Sequence, residues 1–194
     1  MLIPCLAGLL CSTLGYAQDP KPIIDNERVV VWDLAGMPGK LPNPAYDKVE
    51  IFIARNQGVA SFLPKASSSA IASSFHPERT VLIGLKDHKV APLPNSSGLP
   101  NAFPRPGVKK LIDNARVTVW EYTWLPNQPT PMHFHDKDVV VVYLDDGALQ
   151  STTPDGKQVV NRYSFDQVKF NPRDRTHTEL LVEGHQHAIM MELK

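Results

Sequence analysis

The sequence predicts an all-β protein with little helix, a sandwich or barrel assembled from two copies of one unit. Three observations lead there. Eighteen prolines stand against eleven glycines in 194 residues, a load that disfavours long helices and favours short strands between rigid loops. Short apolar runs rich in Val, Ile and Leu recur along the chain between turn residues, with almost no helical periodicity. Finally, IDNERVVVW at 24–32 returns as IDNARVTVW at 112–120, identical at seven of nine positions. A match of that quality marks a repeated structural unit.

Each copy opens with a strand. Val30, Trp32 and Leu34 alternate onto one face in the first, as do Thr118, Trp120, Tyr122 and Trp124 in the second. Further strands are expected at 49–54 and 80–85 in the first copy, and at 139–144, 159–160, 168–170, 178–182 and 188–193 in the second. Turn signals separate them: Asp145-Asp146-Gly147, Thr153-Pro154-Asp155-Gly156 and Asn171-Pro172. The Ser-rich stretch 66–74 reads as a loop, and 109–113 as no more than a short turn. The expected organisation is a first module at 18–90, a Pro/Gly/Asn-rich linker at 91–111 and a second module at 112–194.

The first seventeen residues carry no charge, are mostly apolar and end in Gly15-Tyr16-Ala17, so 1–17 is expected to be a cleaved signal peptide. The run is too short and too interrupted by Pro4, Gly8 and Gly15 to suit a membrane span. The mature chain is then expected to be secreted or periplasmic, with no membrane association once the signal is removed. Cys5 and Cys11 both fall in this segment, leaving no cysteine for a disulfide, a thiolate ligand or a nucleophile. Lys+Arg and Asp+Glu number 20 each and no basic block occurs, which argues against nucleic acid as a partner. Nucleophile-elbow, P-loop, dinucleotide and zinc-protease signatures are absent.

Three of the seven histidines sit where chemistry can use them together. His133 and His135 flank Phe134, and on a strand that spacing points both imidazoles to one face. His177 follows Asn171-Pro172-Arg173-Asp174-Arg175-Thr176, a turn that carries the chain back onto a neighbouring strand. Three converging imidazoles suit a divalent first-row metal such as Fe, Mn, Zn or Ni. His185 and His187 repeat the spacing but follow Gly184 and read as an exposed loop; His76 and His88 read as surface residues.

This region resembles the cupin superfamily. Its first motif sets a histidine pair ahead of a glutamate and a closing glycine, and here His133-Phe134-His135 and Gly147 fill it. The second motif falls on Asp166, Pro172, Asp174, His177 and Leu181, with proline and histidine in register, aspartates in place of both glycines and leucine in place of the asparagine. The resemblance implies a jelly-roll barrel with the metal inside it, held by His133, His135 and His177, and a homodimer paired through strand edges. The family's glutamate falls on Val139 or Val140, neither of which binds metal. Glu179, two residues beyond His177, is the next candidate ligand, and Asp138 has the wrong strand parity unless a bulge shifts it. In the first copy Pro44 and Tyr46 stand where the histidine pair would be, so that module is expected to be degenerate and metal-free.

Other residues suggest a pocket. Trp120 repeats Trp32 and reads as core, whereas Tyr122 and Trp124 have no aromatic counterpart and suit a substrate wall. Arg173 and Arg175 flank Asp174 and suit either local ion pairs or recognition of a carboxylate beside the metal. Two functions follow from the resemblance. One is an enzyme, an oxygenase or an isomerase or lyase acting on a small oxygenated molecule. The other is a non-catalytic module that binds or senses a small-molecule ligand.

Overall fold

Five residues in a row, Val139–Tyr143, are buried, which requires a strand covered on both faces. The computed structural model places that strand in the middle of three β-sheet layers. The structure describes residues 21–34, 45–67 and 77–194, and every regular element among them is a β-strand. The first layer takes β1 (Ile24–Asp25), β2 (Val29–Asp33), β3 (Asp47–Ala54), β4 (Gln57–Leu63) and β5 (Arg79–Leu85), in the order β1-β2-β5-β3-β4. Next in the chain come β6 (Lys109–Asp113), β7 (Val117–Trp124), β8 (His133–His135) and β9 (Val139–Tyr143). They are followed by β10 (Gly147–Thr152), β11 (Gln158–Tyr163), β12 (Val168–Asn171), β13 (Arg175–Gly184) and β14 (Gln186–Leu193). The middle layer is ordered β12-β9-β14-β7-β6 and the third β11-β10-β13-β8.

Strand alternation divides the apolar residues between two cores. Val140 and Val142 of β9, Val117 and Val119 of β7, and Ile189 and Met191 of β14 meet the first layer's Val29, Val31, Ile51 and Ile83 in one core. The opposite face of the same three strands carries Val141, Tyr143, Trp120, Trp124 and Met190, which pack with Leu149 and Leu181 of the third layer. The middle and third layers therefore enclose a jelly-roll barrel, and the first layer covers the barrel's outer face. The halves share the first of these cores, the second belongs to the second half alone, and the first half keeps a small cluster of Val30, Trp32 and Leu82.

The repeat operates at the level of one sheet. Order β1-β2-β5-β3-β4 matches β6-β7-β14-β9-β12, and the motif's polar residues do the same work in both. Asn26 Oδ1 accepts from the Arg28 and Val29 amides at 2.9 Å each, and Asn114 Oδ1 from those of Arg116 and Val117 at 2.8 and 3.0 Å. Asp25 pairs with Lys86 at 2.5 Å and Asp113 with Lys194 at 2.6 Å. The arginines cross between halves: Arg28 forms a buried ion pair with Asp138, and Arg116 pairs with Asp47 at 3.0 Å. The barrel's third layer has no counterpart among the described first-half residues. There β3 turns straight into β4, Ala54 facing Gln57, where the second half inserts the β10–β11 hairpin between β9 and β12. Of the two copies expected, the first degenerate, the described residues form one barrel and, over it, a sheet of matching strand order. Residues 1–20, 35–44 and 68–76, which include the proposed signal peptide, Pro44, most of the Ser-rich loop and His76, lie outside the described residues.

Two expectations about the connector change. Lys109–Asp113 is a strand rather than a turn, because its backbone completes the middle layer beside β7. Residues 100–102 of the expected linker run along β8. Ala102 donates to the Phe134 carbonyl at 2.8 Å and Phe134 to that of Pro100 at 2.9 Å. A three-residue strand at the sheet margin would otherwise leave those groups unpaired. Gly147 is required by close approach: a Cβ there would lie 2.2 Å from the His185 carbonyl oxygen.

Candidate metal centre

β8 and β13 pair antiparallel with His133 opposite His177 and His135 opposite Arg175. Alternation puts Arg175, His177 and Glu179 on one face of β13, so the short β8 brings its two imidazoles over that row. The Nε2 atoms of His133 and His135 lie 3.2 Å apart, and those of His135 and His177 3.3 Å apart. One nitrogen from each of the three residues falls within 4.8 Å of the others.

The arrangement suits a cation. His133 Nδ1 lies 2.8 Å from the Pro131 carbonyl oxygen, which only accepts, so Nδ1 carries the proton and Nε2 turns a lone pair inward. The single proton that His135 Nε2 can carry would then have to serve both neighbours. Separations near 3.3 Å are those of ligand nitrogens about 2.0–2.1 Å from a shared tetrahedral ion. Burial, with Arg105 adding to it, pushes the His133 pKa down to about 4. Burial first, and Arg175 next, hold His135 well below the usual range. Burial also lowers His177, against the opposing pull of Glu179. All three are therefore neutral near pH 7, the state in which imidazole binds metal.

Glu179 Oε1 is 3.8 Å from His177 Nε2. Its other oxygen accepts from Trp124 Nε1 at 3.1 Å and lies 3.7 Å from Arg105. Burial would raise the Glu179 pKa, but Arg105, His177, His133 and the Trp124 hydrogen bond together lower it, so the carboxylate is ionised at the edge of the cluster. Arg105 is itself buried, with its guanidinium carbon 4.2 Å from the Tyr122 ring centroid and 5.6 Å from that of Trp124.

The cluster borders a cavity of about 220 Å³ inside the barrel. Trp124, Arg175, His135, His177 and Glu179 line it. Tyr122 stands behind the wall, edge-on to Trp124 and under Arg105, because the guanidinium occupies the space in front of it. Arg173 turns away to donate to the Ala91 carbonyl. Its amide donates to Asp138 Oδ1 at 2.9 Å. Asp138, paired with Arg28, is thereby committed to the other side of its strand, in keeping with its parity. Of Val139 and Val140, on which the family's glutamate position falls, Val139 lines the cavity. His187 pairs with Glu121 at 3.1 Å and the exposed His88 lies 3.9 Å from Glu27, both away from the cluster.

Arg105, Tyr143, Tyr163 and Lys169 also line the cavity, and sequence reasoning missed all four. Arg105 sits in a proline-rich stretch without periodicity, and its role emerges only once that stretch packs beside β8. Lys169 was legible in principle. Val168 and Phe170 pack toward the first layer, so Lys169 between them must face the barrel interior. Tyr143 and Tyr163 stack there, centroids 4.0 Å apart.

No family model matches the chain. Among solved structures, a cupin domain from Bordetella pertussis Tohama I is 30% identical, covers 47% of this chain and 97% of that one, and superposes with a TM-score of 0.42. The polyketide cyclase RemF from Streptomyces resistomycificus is 24% identical, with 50% of this chain and 75% of that chain covered and a TM-score of 0.37. Among curated proteins, the beta-alanine degradation protein BauB of Pseudomonas aeruginosa is 45% identical over 60 residues, which are 31% of this chain. The chain spans 59% of the length of that relative.

Proposed function

We propose that this chain is a cupin, on the histidine motifs it shares with that superfamily and the jelly-roll barrel that carries them, and that the barrel holds one divalent transition metal through His133, His135 and His177 and acts with it on a small oxygenated molecule. The observation that carries the reading is the convergence of three neutral imidazole nitrogens on the wall of a cavity. A divalent ion bound there by uncharged ligands keeps its full charge, and so can polarise an oxygen donor or acidify a water. The residues around it do the rest. Glu179 offers a carboxylate beside His177, Arg105 and Trp124 fix that carboxylate in place, and Tyr143, Tyr163 and Trp124 wall off the cavity.

Oxygenase and isomerase or lyase chemistry are both compatible with this arrangement. A role in handling a small metabolite is supported by the description of the Pseudomonas relative as a beta-alanine degradation protein. Val139 at the glutamate position favours a second reading, a module that binds its ligand without turning it over. We also place the mature protein outside the cytoplasm, on the character of residues 1–17, which N-terminal sequencing of the secreted or periplasmic protein tests. The homodimer through strand edges is a further expectation, tested by sedimentation.

Metal analysis of untagged protein, beside His133→Ala, tests the central reading. About one ion per chain is expected in the wild type and little in the variant; equal content in both sinks the proposal. Oxygen uptake by iron-loaded protein separates the oxygenase from the other chemistries. A saturating ligand recovered unchanged supports the binding module.

A further inference from the structure

The cavity beside the histidines carries more positive charge than its own residues neutralise. Apart from the imidazoles, Arg105, Lys169, Arg175 and Glu179 are the charged side chains among the described residues lining it. Glu179 is taken by Arg105 and Trp124. Arg175 Nε donates to the Pro172 carbonyl at 2.5 Å, and neither Arg175 nor Lys169 forms an ion pair among the described residues. Two cations therefore face the cavity without an acidic partner, and a divalent ion on the histidines would add to the excess.

Their placement gives the excess a direction. Arg175 and His177 lie two residues apart on one face of β13, about 7 Å along the strand. Lys169 approaches from β12 in the facing sheet, with its Nζ 5.2 Å from the centroid of the Tyr163 ring, which stacks on Tyr143. Val139, Val141 and Met190 supply apolar wall between these charges. A volume of about 220 Å³ lies below the roughly 300–1,000 Å³ of pockets for drug-sized molecules, so the cavity suits a small ligand.

We propose that Arg175 and Lys169 form an anion-binding subsite that holds the carboxylate of a small organic acid, with the acid's other oxygen donor directed at the three histidines. The planar guanidinium fork suits a carboxylate, and the apolar wall suits a short carbon chain. The second contact rests on the metal reading of the histidines; the carboxylate contact does not.

Isothermal titration of the full chain, zinc-loaded and metal-free, tests this with malonate, its neutral counterpart malonamide, and inorganic phosphate. Malonate is expected to bind about tenfold or more tightly than malonamide in both forms, since each charge-assisted pair lost costs about that much. Lys169→Met and Arg175→Met are each expected to weaken malonate by a similar factor, while Lys169→Met leaves the metal content unchanged. Equal affinity for malonate and malonamide, or unchanged malonate affinity in both variants, overturns the proposal. Phosphate binding as tightly as malonate, with the same dependence on both cations, overturns the carboxylate assignment. A chain that takes up no metal yet prefers malonate sinks the metal reading and leaves this one standing. A chain that takes up metal without that preference does the reverse.

Discussion

Arg28 in the first half pairs with Asp138 in the second, and its repeat counterpart Arg116 returns the contact to Asp47. The Asp positions correspond as well: Asp47 faces Leu85 across β5, and Leu193 donates to the Asp138 carbonyl at 3.0 Å. This is the reciprocal pattern of a two-fold interface, with residue i on j and j on i, built within one chain.

The buried arginine–aspartate pair makes the first prediction. Arg28 and Asp138 side chains are 5% and 10% exposed, and removing one partner leaves the other buried without its countercharge. Arg28→Met is expected to cost about 3–5 kcal/mol in urea unfolding. A loss below about 1 kcal/mol would show that the two halves do not depend on this contact.

Glu179 makes the second. Its Oε1 lies 3.8 Å from His177 Nε2, the nitrogen that faces the other imidazoles, while Trp124 and Arg105 hold its other oxygen, so the carboxylate stands on the side where an ion would sit. Glu179→Gln is expected to weaken metal binding by about 10–100-fold without abolishing it, read by competition with a chromophoric chelator. An unchanged affinity would exclude the carboxylate from any part in the centre, and loss as complete as in His133→Ala would make it a full ligand.

The His133–His135 pair could be read from a strand's period of two, whereas joining His177 to it, 42 residues further on, rested on the resemblance to the cupin motifs. Most strands could be read as well, their apolar runs matching the buried residues of β3, β5, β9 and β14. Strands β4 and β10 carry little such signal, their residues being largely half-buried or exposed. The repeat was visible, but not its meaning, since Arg28 and Arg116 find their partners in the opposite half. Arg105 was hidden for the same reason: its neighbours Trp124 and Glu179 are distant in sequence, and no local pattern encodes that meeting.

Asp166 and Asp174, which stand where the family has glycines, both adopt φ of 66°. That is the left-handed region, which glycine enters freely and aspartate more readily than most residues. Asp174 also donates its amide to the His135 carbonyl at 2.9 Å, so the turn that sets His177 depends on this conformation. Asp174→Gly is expected to keep stability within about 1 kcal/mol, and Asp174→Val to lose about 1–3 kcal/mol, with metal content falling in the valine variant alone. Equal thermal stability of the two variants would remove the backbone explanation.

The last prediction concerns acid. Burial and Arg105 set the His133 pKa at about 4 in the folded chain, whereas an unfolded histidine titrates near ~6.5. His135 and His177 are lowered in the same direction. Between those values the unfolded chain binds protons that the folded chain does not, so stability rises with pH across the interval. The metal-free protein is therefore expected to hold its full histidine contribution above about pH 6.5 and to lose it as the pH falls toward about 4. Melting curves of metal-free wild type and of the His133→Gln, His135→Gln, His177→Gln triple variant separate this loss from that of the carboxylates. The variant's melting temperature should fall less steeply over the same range. Parallel slopes would mean that the imidazoles take up protons in the folded protein, and the neutral cluster described above would have to be abandoned.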